Sequence, residues 1–390
     1  MKKDQIIEYC TGCGLCHSVN DTRFQDEPNG FTYPVIENNE QLEFNSKICQ
    51  ANGTHLLKQD DTTWGHYFNV YSGYSTDTEI RFKAASGGMT TAVAVYLAER
   101  GLVDGVIQVG EDPDSPYGTK NFVSKTKEEI VSHCGSRYIV SSPLANLQQV
   151  LSNGGKYAVI GRPCDIVVLN NYLDNYPQFK ENIYCTLTFF CAGSPSVEAS
   201  KKLAKRLEIE PESVTKIRYR GYGWPGKATV FSEDKENHME YIDSWNQILG
   251  RDIRKICKLC TDGVGEAADI ASGDLWNLAD NKPVFNETDG VNVVFARSEK
   301  GRKILEDAVK KGYIHLEDYA SRLKELDFVQ PNHSNRKKLL YPRFLGMKLM
   351  GKTVPNYDMN KLKQYCKDEP KIKVMKTTLG TVKRVLKGKL

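Results

Sequence analysis

Residues 9–20, YCTGCGLCHSVN, place Cys10, Cys13 and Cys16 at C-x2-C-x2-C. No other feature constrains the chain as strongly, because this spacing wraps three thiolates around one face of an iron–sulfur cube. A bacterial ferredoxin run would continue with a fourth cysteine and a proline, but Asn20 holds that position. The fourth ligand must therefore come from farther along. The candidates are Cys49, Cys134, Cys185 and Cys366. Cys49 lies in the same polar segment and is preferred. Cys185 falls inside an apolar run and reads as a packed core thiol. His17, beside Cys16, cannot easily reach around a cube and reads as a surface histidine.

Eleven cysteines in 390 residues need a compartment. The start, MKKDQIIEYC, lacks the apolar stretch of a signal peptide, and the longest apolar run, near Ala92–Ala98, is too short to span a bilayer. A cytoplasmic location is expected, where thiols stay reduced and serve metal or redox chemistry rather than disulfides. The chain is long enough for two or three domains. Its formal charge is +4, but the last 30 residues carry ten Lys/Arg against Asp368 and Glu369. The tail is thus +8 and the preceding 360 residues −4. That acidic body gives no basis for nucleic-acid binding.

Three regions follow. Residues 1–62 are polar, turn-rich and cysteine-bearing, with little hydrophobic periodicity, so this segment is expected to depend on metal for order. Residues 63–330 alternate strand and helix. "LVDGVIQVG" reads as a buried strand, and "KYAVIGRPCDIVVLNNYL" as strand, turn and helix. "NIYCTLTFFCAGSPSVEASKKLAKRLEI" repeats that grammar, as does "GVNVVFARSEKGRKILEDAVKKGYIHLEDY" with a final strand. The fold class is α/β (α+β): a partly parallel mixed sheet flanked by helices, with a small N-terminal ferredoxin-like iron–sulfur segment. Residues 331–390 form a basic extension. Within it, Ile372, Met375, Leu379, Val382 and Leu386 recur at spacings of 3, 4, 3 and 4, one apolar stripe on a Lys-rich helix.

A second cysteine set emerges from this grammar. Cys164 lies in the turn after one strand and Cys191 just after the next. The carboxyl ends of parallel strands share one edge, where ligands collect. "CKLC" adds Cys257 and Cys260, completing four thiols. Zinc is the rival metal, but four-thiolate zinc sites usually join two C-x2-C knuckles. Here there is one knuckle, two strand-end cysteines and a separate triple run, which favours iron–sulfur clusters.

The blocks "ASGGMTTAV", "GSRYIVSSP", "VIGRPCDI", "RYRGYGWPG" and "CKLCTDGVGEAADIASGDLW" resemble the coenzyme F420 hydrogenase/dehydrogenase beta-subunit family, over roughly residues 8–330. Its lone-chain members, which include 7-hydroxymethyl chlorophyll a reductase, look closest. The resemblance implies FAD, a 4Fe-4S cluster beside it on Cys164, Cys191, Cys257 and Cys260, and a further N-terminal cluster. It departs at Arg162, where the family commonly has threonine. The family places FAD near the "SGG" loop, whose glycines let backbone amides approach a pyrophosphate at a helix N-terminus. Ser86, Gly87, Gly88 and Thr90 are the expected contacts. Gly135, Ser136, Arg137 and Tyr138 are further candidates, with Arg162 and Asp165 flanking the cluster turn.

Gly221–Gly226, GYGWPG, satisfies G-x-G-x-x-G by letter, but "KATVF" after it reads as a strand, so it is no dinucleotide fingerprint. It reads instead as a rigid turn placing Trp224 near flavin or substrate, or as a hairpin with a buried Trp. Asp262, Glu266, Asp269 and Asp274 suit turn and cap chemistry and are not assigned as ligands, with a proton-donor role for one of them as the minor alternative. Trp224 and Asp274 are the catalytic candidates. The expected activity is an FAD-dependent iron–sulfur oxidoreductase linking a ferredoxin-like carrier to coenzyme F420 or a small organic substrate. The alternative is an electron-transfer subunit of a larger hydrogenase or dehydrogenase. The basic tail offers an acidic carrier such as ferredoxin, or an anionic membrane surface, a place to dock.

Overall fold

The structure is a computed structural model that describes residues 2–53, 62–388 and 390. The boundary expected at residue 62 adjoins residues 54–61, which lie outside the described residues, as does Lys389.

Eight strands form the central sheet: β1 (Asn69–Ser75), β2 (Gly105–Asp112), β3 (Ser115–Ser124), β4 (Tyr157–Gly161), β5 (Ile183–Phe189), β6 (Ile270–Asp274), β7 (Asn292–Ala296) and β8 (Ile314–Asp318). Their order is β8-β1-β7-β6-β5-β4-β2-β3. The middle run β6-β5-β4-β2 is parallel, and every other pairing is antiparallel. The sheet is therefore mixed and partly parallel, as the alternating grammar implies.

Both faces are covered because neighbouring residues of the strands point to opposite sides. Val106, Ala158, Cys185 and Leu187 pack with the helix Met89–Glu99 and with Ile304 and Leu305 of Glu299–Lys310. Cys185 is a core thiol, as its apolar surroundings suggest. Ile107, Val159 and Ile183 pack with the helix Pro163–Asn175. A smaller antiparallel sheet, Glu236–Glu240, Lys227–Phe231 and Lys216–Arg218, lies against the helix Val197–Arg206. Ser196 caps that helix, accepting from the Ala199 amide at 3.0 Å. Lys227–Phe231 is a strand, so nothing helical follows the glycine-rich turn.

The N-terminal segment comprises short helices Lys3–Glu8 and Leu15–Asn20, a ribbon of Phe24–Asp26 with Thr32–Pro34, and the helix Asn39–Ile48. It buries Ile6, Tyr9, Leu15, Phe44 and Ile48. Packing therefore helps to hold it, which its polar sequence does not suggest. The C-terminal extension folds into Pro331–Lys338, Leu340–Leu349, Met359–Tyr365 and Lys371–Leu386. Leu340, Phe344, Met347 and Leu362 form one core with Tyr9, Ala51, Val167, Ile256 and Leu259. Among the described residues, no helix is long and apolar enough to cross a membrane.

Candidate functional site

Cys10, Cys13 and Cys16 occupy the turn between the first two helices and the start of the second. Gly12 and Gly14 carry φ of +74° and +83°, which bends the turn where side chains are strained. A Cβ on Gly12 would come within 2.7 Å of the Arg254 guanidinium, itself buried. Cys49 follows the helix Asn39–Ile48 and comes near the same three thiols. Its own thiol is pushed well above the usual range, by burial first and then by Cys13, Cys16 and Cys10. Burial likewise pushes Cys13 up to about 12. Such thiols resist ionisation until a bound cation compensates them. Cys134 and Cys366 take no part in this group.

The inner set is built by the sheet. Gly161 at the end of β4 is in register with Thr188 of β5, so the two strands end nearly level. Cys164 then opens the helix Pro163–Asn175, while Cys191 follows β5. The single turn Ile256–Leu259 presents Cys257 and leads into Cys260. These four cysteines line one cavity, together with Arg162, Asp262 and Arg336. Thr11, adjacent to Cys10, and Gln50, adjacent to Cys49, line the same cavity. The two cysteine sets therefore adjoin.

Donors surround the sulfurs. The Gly12 amide donates to Cys10 Sγ at 3.2 Å, and the Ser194 amide to Cys257 Sγ at 3.4 Å. Gln50 Nε2 lies 3.9 Å from Cys260 Sγ. Hydrogen bonds of this kind adjust the potential of an iron–sulfur centre. Arg336 reaches in from the extension, donating to the carbonyls of Cys257 at 3.3 Å and Cys191 at 3.5 Å. Arg162 is buried against Asp165, with Nε and Nη2 contacts of 2.7 and 2.8 Å. Its charge acts on Cys10 and Cys13 of the outer set and on Cys164 and Cys191 of the inner, opposed at Cys13 and Cys164 by the Asp165 carboxylate.

Among the described residues, no three His, Cys, Asp or Glu side chains close on a single metal ion. Zinc asks for four donors about 2.3 Å from one point. A cubane takes one thiolate per iron and spreads its ligands around a larger body. Four thiols lining a shared cavity fit the cubane.

Of the expected flavin residues, Ser86–Thr90 lie at the ends of β1 and β6, and Gly135–Tyr138 lie near the end of β2 and the smaller sheet. Gly88, at φ +76°, ends the "SGG" loop and begins the helix Met89–Glu99, whose first amide donates to Asn292 Oδ1 at 3.3 Å. A Cβ on Gly87 would meet Asn292 Oδ1 at 2.8 Å, so only glycine fits there. Ser86 Oγ donates to the Val291 carbonyl, and Thr90 Oγ1 lies 2.8 Å from Ser272 Oγ. A glycine loop leading into a helix is the setting in which backbone amides approach a pyrophosphate, although the Met89 amide is already taken by Asn292. Arg137 sits 3.5 Å from Glu111, and Tyr138 packs with Tyr219, Tyr241 and Trp245. Gly135 and Ser136 precede them, Gly135 facing the Arg220 carbonyl. The same segment then reaches the inner cysteines. Ser194 Oγ donates to the Ile139 carbonyl at 3.4 Å, and Arg162 Nη2 to the Ser141 carbonyl at 3.3 Å. Ser141 also borders an open cavity of about 730 Å³ with Tyr117, Asn121 and Lys201. Arg162 and Asp165 spend their polar groups on each other and on this segment.

Trp224 and Asp274 meet directly, Nε1 to Oδ1 at 2.9 Å. Trp224 is buried and stacks on Trp276, centroids 4.6 Å apart. Arg220, absent from the sequence-based expectations, grips both Asp274 oxygens at 2.7 and 2.9 Å. The carboxylate is thereby clamped, with both oxygens engaged. Asp262 accepts from the amides of Val264, Gly265 and Glu266, the turn chemistry its sequence suggests. Arg336 also escapes sequence reasoning, since nothing in "NRKK" distinguishes it from a solvated charge run.

Two family models match the chain. Both describe the coenzyme F420 hydrogenase/dehydrogenase beta subunit, its N-terminal part at residues 70–149 and its C terminus at residues 154–322. The coenzyme F420 hydrogenase subunit beta of Methanococcus voltae is 26% identical over 295 residues, 73% of this chain and 98% of that one. The F420-dependent formate dehydrogenase subunit beta of Methanocaldococcus jannaschii is 28% identical over 243 residues, 62% of this chain and 60% of that one. Among solved structures, a chain of the F420-reducing NiFe hydrogenase complex from Methanosarcina barkeri superposes with a TM-score of 0.58 at 25% identity. It covers 76% of this chain and 99% of that one.

Proposed function

Since this chain belongs to the coenzyme F420 hydrogenase/dehydrogenase beta-subunit family, we propose that it is an F420-linked iron–sulfur flavoprotein oxidoreductase. In this reading Cys10, Cys13, Cys16 and Cys49 hold an outer 4Fe-4S cluster and Cys164, Cys191, Cys257 and Cys260 an inner one. FAD rests on Ser86, Gly87, Gly88, Thr90 and Gly135–Tyr138. Bound there, the clusters supply one-electron steps and the flavin supplies hydride exchange with F420 or a small organic substrate.

The carrying observation is the adjacency of two four-cysteine sets. Thr11 and Gln50 bring the outer set against the cavity of the inner. The protein's own groups then have definite tasks. Arg162, fixed by Asp165, places a guanidinium beside both thiolate sets, with the Asp165 carboxylate acting against it at Cys13 and Cys164. Amides of Gly12 and Ser194 hold sulfurs by hydrogen bonds. Segment 135–142 couples the phosphate-binding edge to the inner set. Its cavity beside Ser141 has the size usual for an organic ligand. A ferredoxin-like carrier would meet the outer set.

A second reading, a subunit of a larger complex, is favoured by the structural neighbour, itself part of a hydrogenase complex. Against it stands the N-terminal cysteine module, which precedes the matched residues 70–322 and gives the chain an input of its own. Copurification of a large partner subunit would favour the second reading.

Anaerobic purification with iron, sulfide and flavin analysis tests the assignment. About eight irons per chain are expected, and about four in either Cys49→Ser or Cys257→Ser. Reduced F420 should bleach the flavin absorbance of the intact protein. A zinc-bearing colourless preparation, or a Cys257→Ser variant with undiminished iron, would end this reading.

A further inference from the structure

The helix Lys371–Leu386 is mounted inside out. Surface helices ordinarily bury their apolar stripe and expose the polar face. Here Val374, Thr377, Thr378, Thr381 and Val385 face the body, with Thr381 and Val385 buried. Thr378 Oγ1 donates to the Pro342 carbonyl at 3.2 Å. A Cβ on Gly346 would lie 2.6 Å from the Thr378 carbonyl, so the two helices meet closely on small side chains. The large aliphatic groups point away. Ile372 is 59% exposed, Met375 56%, Leu379 60% and Leu386 70%. From Ile372 to Leu386 this bare stripe runs about 21 Å.

Lysines border it. Lys376, Lys383 and Lys387 recur at spacings of 7 and 4, which puts them in one row beside the stripe. All three are exposed, as are Lys371 and Arg384. Lys373 is engaged by Glu369 and Asn335 and takes no part.

We propose that this helix lies flat on an anionic lipid bilayer, its Ile372/Met375/Leu379/Leu386 stripe in the acyl boundary and its lysine row at the head groups. A strong apolar stripe with a basic border is the makeup of interfacial helices. Each basic residue near an anionic leaflet adds to the attraction. A 16-residue helix with this charge lies on a membrane rather than crossing it. A soluble electron carrier is the rival occupant. Such encounters are small and steered by charge, and they do not call for four bare aliphatic side chains in a line. The helix lies beyond residues 70–322, so the inference concerns this chain's own extension and stands whether or not the flavin reading holds.

The test is sedimentation of the full-length, anaerobically purified protein with vesicles. One set is phosphatidylcholine alone, the other an equimolar mixture with phosphatidylglycerol. Sedimentation with the anionic vesicles only, weakened by high salt, is expected. Lys376→Gln/Lys383→Gln/Lys387→Gln should lower partitioning about 100-fold. Met375→Gln/Leu379→Gln should abolish it. Both variants change solvent-facing residues, so helicity and iron content should stay at wild-type values. Absence of binding to anionic vesicles would overturn the proposal. So would undiminished binding by the Met375→Gln/Leu379→Gln variant. A dimer, or a complex with a ferredoxin-like carrier, that this variant alone disrupts would assign the stripe to a protein and equally overturn it.

Discussion

Asp274 ends β6 with both oxygens committed, to Arg220 and to the Trp224 indole. Arg220 is buried, and its guanidinium also lies over the rings of Tyr241 and Trp276. Removing the carboxylate charge leaves that guanidinium without its counter-ion in an apolar setting. Asp274→Asn should therefore cost about 3 kcal/mol of stability, read from the denaturant midpoint. Replacing both partners, as Asp274→Leu/Arg220→Met, should recover part of the loss. A single variant as stable as wild type would mean that the pair carries no structural weight. At this scale the grouping of the cysteines around one cavity was legible, and Arg220 and Arg336 were not. Thiolate chemistry ties ligands to short spacings or to strand ends, so Cys164, Cys191, Cys257 and Cys260 could be grouped from the sequence. Arg220 and Arg336 find partners 54 and 79 residues away, and no local pattern announces such a meeting.

Elements were legible where burial gave them a period. β2, β4, β5 and β7 read out as apolar runs, and β8 as the short strand closing the last strand–helix unit. β6, "IASGD", did not, because its residues are small for reasons of neighbourhood. A Cβ on Gly273 would strike the Phe190 ring at 2.4 Å, and Ser272 serves Thr90. β3, "SPYGTKNFVS", is an edge strand bearing Pro and Gly, where alternation is weak. The helix Thr78–Lys83 leads into the "SGG" loop and rests on Asp77. That carboxylate accepts from the Glu79 and Ile80 amides at 2.9 and 3.1 Å and pairs with Lys127 at 2.6 Å. Burial opposes its charge, but Lys127 and the two amides outweigh burial and hold its pKa below the usual value. A lowered carboxylate pKa stabilises the fold above the unfolded value, and that contribution fades as pH falls. Asp77→Ala should thus lose about 1 kcal/mol at neutral pH. The gap from wild type should close as pH drops below about 3.9. A gap that persists unchanged in acid would show that packing, not the charged cap, is responsible.

The whole molecule depends on its two ends meeting. The sequence shows an N-terminal cysteine segment and a basic tail as separate pieces. Their joint core is invisible there, because the apolar residues that build it are scattered over the chain. Tyr9 and Ala51 from the beginning, Ile256 and Leu259 from the C-x2-C turn, and Leu340, Phe344, Met347 and Leu362 from the extension share one cluster. Tyr9 Oη donates to the Thr353 carbonyl at 2.6 Å, and Asn356 donates its amide to the Ala51 carbonyl at 2.9 Å. Arg343 donates to the Lys258 carbonyl within the C-x2-C turn. The extension is thus a wall of the cysteine cavity, with the solvent-facing helix Lys371–Leu386 on its outside. Four buried large side chains at about 2 kcal/mol each approach the net stability of a typical domain. Ending the chain at residue 330 should therefore give an aggregating product that fails to retain iron on Cys257 and Cys260. Changing only the exposed Met375 and Leu379 to Gln should leave size and iron content intact. Gel filtration with iron analysis separates the two outcomes. A monodisperse, fully iron-loaded truncation would reduce the extension to an appendage and detach it from the cysteine site.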